Sequence, residues 1–395
     1  MKKIIFVIIL LFCIFLASCP HIPAPPFVTE TPPSPSPTAE PTPPPTPTPS
    51  PSPTVTTEQR AREILDSMTI FEKTCQMLVI CIDDVTGRKN ETEYGEDFVN
   101  GIENYPVGGL VFFTENIVSS EQVLGMVSAA QDVSKIPLFI SADEEGGRVR
   151  RLSRKLPTTN FEPMFSYRAQ GVSRAYDNAR QIAADMLAHG FNLDFAPVAD
   201  VWTNPDNTVI GDRAYSTDAA EAAALVSAAL TGFLDGGIIP TLKHFPGHGD
   251  TLLDSHDGPV ESDTPLETLR AREFLPFISG LEAGGDVVML SHVTMTAVDP
   301  KNPATFSEAI IGGLLRGELG FEGVVMTDSL DMGAIRNFGY ETIALRAIAA
   351  GCDVLLGIKD IPRVVESIME NVPESRIDES VLRILELKLE SGMLK

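Results

Sequence analysis

Positive charge is scarce in this sequence: 30 Lys and Arg stand against 54 Asp and Glu, a formal net charge of -24. Lys2, Lys3, Glu30 and Glu40 are the only charges before Glu58 and cancel, so the excess acid belongs to the chain from Glu58 onward. Such a surface repels polyanions, which argues against nucleic acid and against an anionic membrane surface as partners. A neutral or cationic substrate is compatible with it. Cysteine is scarcer still: Cys13, Cys19, Cys75, Cys81 and Cys352 are all there are. The last three lie in apolar surroundings at spacings that match no metal motif, and they read as buried free thiols rather than a disulfide framework. A single Cys75–Cys81 bridge remains compatible with the spacing. A dinucleotide fingerprint is also missing, since Gly146-Gly147 is not part of a GxGxxG that follows a strand.

The first residues, Met1-Lys2-Lys3 and then IIFVIILLFCIFLAS, form a positive start and an apolar core too short for a comfortable membrane span. They read as a secretory signal over 1–18, with an uncleaved anchor helix as the other reading. The run ends in LASC, which resembles a bacterial lipobox and makes Cys19 the expected lipid carrier. Residues 19–55 are almost wholly Pro, Thr, Ser and Ala, a composition that favours extended polyproline segments over a packed core. At ~3.1 Å per residue, about 35 such residues reach roughly 100 Å. The expected product is an extracytoplasmic protein, attached to the membrane only through its lipid.

From residue 56 to 395 the pattern changes. Helices are expected from Thr57 and from Thr69, where Thr69 and Glu72 form a capping box. Eight short apolar runs follow, over 76–82, 108–113, 137–142, 193–198, 238–243, 286–291, 323–327 and 352–357. Amphipathic stretches separate most of them, at 121–133, 173–189, 218–234, 266–283, 307–319 and 340–350. Near-continuous apolar strands alternating with helices indicate an α/β protein with a parallel sheet covered on both faces. Eight repeats over this length predict a single (β/α)8 TIM-type barrel, with an open doubly wound sheet as the competing architecture.

In a barrel the reactive groups gather at the carboxyl ends of the strands. The polar residues fall there: Asp143-Glu144-Glu145 and Arg148, Arg150, Arg151 after the third run; Asp200 and Gly211-Asp212-Arg213 after the fourth; Lys243-His244, Ser291-His292 and Asp328 at the ends of the fifth, sixth and seventh. The richest stretch is TLKHFPGHGDTLLDSHDG at 241–258, a glycine-broken loop holding His244, His248, His256, Asp250, Asp254, Asp257 and Lys243. Packing alone does not require so many polar groups together.

Sugar hydrolysis needs a carboxylate opposite a second proton carrier. Asp328, short and fixed at a strand end, suits a nucleophile. Taken alone, it suits a helix N-cap equally well. In an extended segment residues i and i+2 point the same way, so Asp254 can hold His256, whose ordinary pKa of about 6.5 lets it give and take a proton. Two rival readings use the same features. His244, His248, Asp250 and His256 form a zinc-ligand set for a metallohydrolase. A lipobox and tether also mark sugar-binding lipoproteins.

The motifs KHFPGHGDTLLDSH, DEEGGRVRR, IGDRAY and VVMTDSLDMGAI resemble glycoside hydrolase family 3, specifically its bacterial β-N-acetylglucosaminidases, from about residue 58 to the end. The resemblance implies Asp328 as the nucleophile that attacks the anomeric carbon. It makes His256 the acid and base, oriented by Asp254, and gives Asp143, Arg151, Arg213, Lys243 and His244 to substrate binding. Without it, Asp143 and Arg213 also fit a structural salt bridge. It implies a retaining exo-enzyme that needs no metal and no organic cofactor and acts on carbohydrate such as cell-wall muropeptides or chitin oligosaccharides. Apart from the resemblance, a monomer is expected. The chain departs from the family pattern in one place, with Glu144 where members often have Gln, which changes the expected local charge. The family's β-glucosidase and β-xylosidase branch draws a carboxylate from a second domain. The sequence ends after a helix expected over 379–391, and together with the DSH loop this favours the glucosaminidase branch.

Overall fold

The computed structural model describes residues 56–252, 255 and 258–394. The expected signal, Cys19 and the whole linker, together with Asp254 and His256, lie outside the described residues. α1 (Thr57–Ser67) and α2 (Ile70–Gln76) each open with a capping box, Thr56 with Gln59 and Thr69 with Glu72. Strands β1 (Leu78–Cys81), β2 (Gly109–Val111), β3 (Phe139–Ala142), β4 (Leu193–Asp194), β5 (Ile239–Pro240 continuing as Leu242–Phe245), β6 (Val287–Leu290), β7 (Val324–Thr327) and β8 (Leu355–Leu356) succeed them. Each lies within its expected run except β5, which extends to Phe245.

All eight are parallel to their neighbours. The hydrogen-bonded order runs β8–β1–β2–β3–β4–β5 and, through the second half of β5, β5–β6–β7. A bridge between Met326 and Val354 joins β7 to β8. The result is an α/β domain around a curled parallel sheet, consistent with the TIM type. Helices α3 (Ser120–Val133), α4 (Val172–Leu187), α5 (Ala219–Asp235) and α6 (Phe274–Glu282) cover it between strands; α7 (Tyr340–Ala350), α8 (Ile361–Asn371) and α9 (Glu374–Glu390) complete the chain. α4 and α5 are alanine-rich and pack closely, so closely that a Cβ on Gly232 would lie 2.3 Å from the Tyr176 carbonyl oxygen. Two expected helices are not regular: Leu269–Glu273 and Ala309–Glu318 wind as wider π turns. Among the described residues no helix is long and apolar enough to cross a membrane. Cys75, Cys81 and Cys352 are unbridged.

The amino ends of the strands are closed by structural charges. Asp353, fully buried before β8, receives Arg316 at 2.7 Å and Arg383 at 3.1 Å. Lys388 of α9 reaches the Gln76 side chain (2.9 Å) and the Gly108 carbonyl (3.0 Å), and burial pushes its amine down to about 7. The opposite, carboxyl ends are open and carry a cavity.

Candidate active site

The cavity, of about 350 Å³, lies over the carboxyl ends of β3, β5 and β7, with Asp143, Arg151, Arg213, Lys243, His244 and Asp328 in its walls. Asp143 follows β3 directly. Beyond it the chain turns back as a short hairpin, Glu144–Gly146 against Val149–Arg150. Gly146 (φ 90°) and Gly147 (φ 55°) make that turn in the left-handed region, where a side chain would be strained. The hairpin returns Arg151 to Asp143, with Nη2 donating to Oδ2 at 2.9 Å. Glu144 clamps the same turn, accepting from the backbone N–H groups of Arg151 (2.7 Å), Leu152 (2.7 Å) and Ser153 (3.1 Å). It is buried and is not a wall of the cavity, so its carboxyl does not face the site directly.

Lys243, on β5, donates to Asp143 at 2.7 Å and sits 2.6 Å from Glu145. Arg213 grips Glu145 with two bonds, Nε to Oε2 at 2.9 Å and Nη2 to Oε1 at 2.8 Å. Burial alone would raise the carboxyl pKa values of Asp143 and Glu145. The facing cations more than offset it, led by Lys243 for Asp143 and by Arg213 for Glu145, so both are held as carboxylates. Asp143 and Arg213 therefore do take part in salt bridges, with different partners, and both still face the cavity. The fork geometry of Arg213 fixes its plane, as a bidentate carboxylate contact does.

Asp200 organises the histidine loop. It accepts from His244 Nδ1 at 2.7 Å and from the His248 backbone N–H at 2.7 Å. Burial opposes its ionisation, and His244 beside it pulls the pKa below the ordinary value. His248 bonds with Thr251 (2.8 Å) and lies 3.3 Å from the Ser255 hydroxyl, and burial lowers its pKa. The loop's closeness to the segment after β4 demands glycine: a Cβ on Gly249 would stand 1.9 Å from the Val201 carbonyl oxygen. Asp250 turns the other way, to Thr203, Thr264 and Arg272. It therefore does not join His244 and His248 as a ligand, and no three such side chains among the described residues are grouped to hold a metal.

Asp328 ends β7 on the wall facing this cluster. The Ser329 backbone N–H donates to its Oδ1 at 2.7 Å. Burial pushes its pKa up, but His244, then His292, and more weakly Lys243 outweigh it and hold the carboxyl below its ordinary value. His292 stands behind, bonded to the Thr305 hydroxyl (2.7 Å) and the Ser329 carbonyl (3.0 Å). Ser255, between Asp254 and His256, is buried in the cavity wall, and its carbonyl accepts from the Ala334 N–H at 3.1 Å. Ser255 is thus tied to the loop that follows Asp328. Sequence reasoning gave no role to Glu145 and Asp200, although both sat in the strand-end runs it singled out, and it read His248 only as a metal ligand.

A model of the glycosyl hydrolase family 3 N-terminal domain matches residues 69–387. The chain belongs to glycosyl hydrolase family 3. It is 35% identical over 299 residues to a protein named beta-hexosaminidase from Xanthomonas oryzae pv. oryzae, spanning 74% of this chain and 87% of the relative. A beta-hexosaminidase from Xylella fastidiosa is 37% identical over 264 residues, 65% of this chain and 78% of its own. Among solved structures, a glycoside hydrolase family 3 beta-N-acetylglucosaminidase from Paenibacillus sp. str. FPU-7 superposes with a TM-score of 0.77 at 37% identity. That match covers 82% of this chain and 63% of the longer Paenibacillus chain. The strand-end cluster lies wholly inside the region matched by the family 3 model.

Proposed function

We propose that this family 3 chain is a retaining exo-β-N-acetylglucosaminidase, built on a complete (β/α)8 barrel and tethered outside the cytoplasmic membrane through Cys19. One observation carries the reading: a buried aspartate, Asp328, kept ionised at a strand end, shares one cavity with a fixed array of charged and polar side chains. The beta-hexosaminidase names of the relatives supply the substrate class. Terminal β-linked N-acetylglucosamine of muropeptides or chitin oligosaccharides binds against Asp143, Arg151, Arg213, Lys243 and His244. Asp328 attacks the anomeric carbon and forms a glycosyl ester while the glycosidic oxygen leaves. His256, held by Asp254, gives that oxygen its proton. Water then enters, His256 takes its proton, and attack on the same carbon releases Asp328. Two inversions leave the product with the configuration of the substrate. Binding needs no net charge on the sugar, because Arg151, Arg213 and Lys243 are already balanced by Asp143, Glu145 and Asp328.

His256 is tested by comparing leaving groups. A sugar hydroxyl needs protonation to leave; a nitrophenolate departs largely unaided. His256→Ala is expected to lose about 10²–10⁴-fold in kcat/KM on a disaccharide, the usual worth of general acid catalysis, and far less on 4-nitrophenyl N-acetylglucosaminide. Equal losses on both substrates would remove His256 from the proton transfer.

A further inference from the structure

A second cavity, of about 560 Å³, opens from the flank of the active-site pocket; Val149, Arg151, Val209 and Arg213 line both. Every ionisable residue in its wall is an arginine: Arg148, Arg151, Arg154 and Arg213. In a chain of net charge -24, a cavity with no acid in its lining stands apart from the rest of the surface. The counter-charges of two of these arginines lie outside its lining. Arg213 is neutralised by Glu145, whose side chain is 1% exposed, and Arg151 by Asp143. Arg148 meets Asp212 at 3.2 Å and spends one nitrogen on the carbonyls of Thr208, Val209 and Ile210. Arg154 is exposed and, among the described residues, makes no ion pair; there its Nη2 donates to the Arg148 carbonyl alone, at 2.7 Å. Holding two loops together accounts for Arg148. It does not account for Arg154.

The position of the groove decides which part of a substrate it meets. Asp328, Ser329 and Ser255 line the active-site pocket but not the groove. The nucleophile meets the anomeric carbon on the face opposite the leaving group and the proton-donating loop meets the leaving oxygen, so the bond that breaks lies between them, on their side of the pocket. The groove leaves from the side of Arg151 and Arg213, where the terminal sugar binds. A substituent reaching into it belongs to that sugar. Guanidinium groups in such a wall match a tetrahedral oxyanion by planar, charge-assisted hydrogen bonds.

We propose that this groove is a subsite for an anionic ester, sulfate or phosphate, carried on a hydroxyl of the terminal N-acetyl sugar. The proposal rests on the glycosidase reading. The enzyme then removes charged as well as neutral terminal residues, and the arginine wall draws the charged ones in by electrostatic attraction.

The test uses 4-nitrophenyl N-acetylglucosaminide and its 3-, 4- and 6-sulfates, with the corresponding phosphates to separate the two esters. At least one ester is expected to be hydrolysed with a kcat/KM no lower than the neutral glycoside. Arg154→Gln should lower that ester's kcat/KM relative to the neutral one by about threefold to tenfold, the range for a partly exposed charged contact. Turnover of the neutral glycoside and the melting temperature should stay at wild-type values. At about 1 M salt, where the screening length is about 3 Å, the ester's advantage should disappear in the wild type. If all esters run more than about tenfold slower than the neutral glycoside, or if the ratio is the same in Arg154→Gln, the groove is not an anion subsite. If the neutral N-acetylglucosaminide itself is not turned over, the functional reading falls and the subsite with it.

Discussion

Glu145→Gln isolates the buried charge that holds Arg213, proposed above to bind substrate, in place. Glu145 is 1% exposed; it carries Arg213 in two hydrogen bonds and meets Lys243 at 2.6 Å. Burial works against its ionisation, yet Arg213 and then Lys243 bring its pKa from 4.5 down to about 2. A folded pKa below the unfolded one means stability that is fully present above the unfolded value and lost as pH falls toward the folded one. At about 1.4 kcal/mol per pKa unit, the charge contributes about 3 kcal/mol near neutrality. The glutamine keeps the shape and loses the charge, leaving Arg213 and Lys243 to share Asp143. Urea unfolding of wild type and variant should therefore differ by about 3 kcal/mol at pH 7 and nearly as much at pH 5, narrowing to about 2 kcal/mol at pH 3.5. KM should rise as well, because Arg213 loses the fork that orients it. A difference under about 1 kcal/mol at pH 7, or one that does not change between pH 7 and 3.5, would refute the account of this cluster.

Asp328→Asn should lower turnover by about 10³-fold or more while leaving the melting temperature near wild type. Because His244 and His292 hold the Asp328 carboxyl below its ordinary 3.8, the acidic limb of the wild-type kcat/KM profile should fall below that pH; a limb near 6 would assign it to another group. Asp200→Asn removes the anion from His244 Nδ1 and from the His248 N–H, and should lower kcat/KM by about tenfold or more, read as a kinetic loss larger than any change in melting temperature implies. Gly249→Ala must displace the histidine loop from Val201 and is expected to cost about 1–3 kcal/mol along with most of the activity. Gly258→Ala, with nothing among the described residues within 4 Å of the added methyl, is its silent control.

The sequence by itself determined the order of the fold. Each strand is a short apolar run closed by turn residues, and most helices are amphipathic stretches, four of them opened by a Ser, Thr or Asp cap, so the elements are written in local periodicity. The side of the sheet on which chemistry gathers was equally legible, because Asp143, Lys243, His244 and Asp328 all stand at the carboxyl ends of their runs. The motifs around them carried the family. What the sequence left undecided depends on which strand end faces which across the sheet. Glu145 meets Arg213 68 residues away, and Asp200 meets His244 44 residues away. Neither pairing leaves a trace in any local pattern, since a carboxylate at a strand end reads the same whether it touches substrate or orients a neighbour. Glu144 and Glu145 make the case most plainly. They are adjacent and chemically alike, yet the hairpin at Gly146-Gly147 turns one inward to clamp backbone N–H groups and sets the other against Arg213 and Lys243. That division of labour comes from the path of the folded chain, and only the tertiary structure decides it.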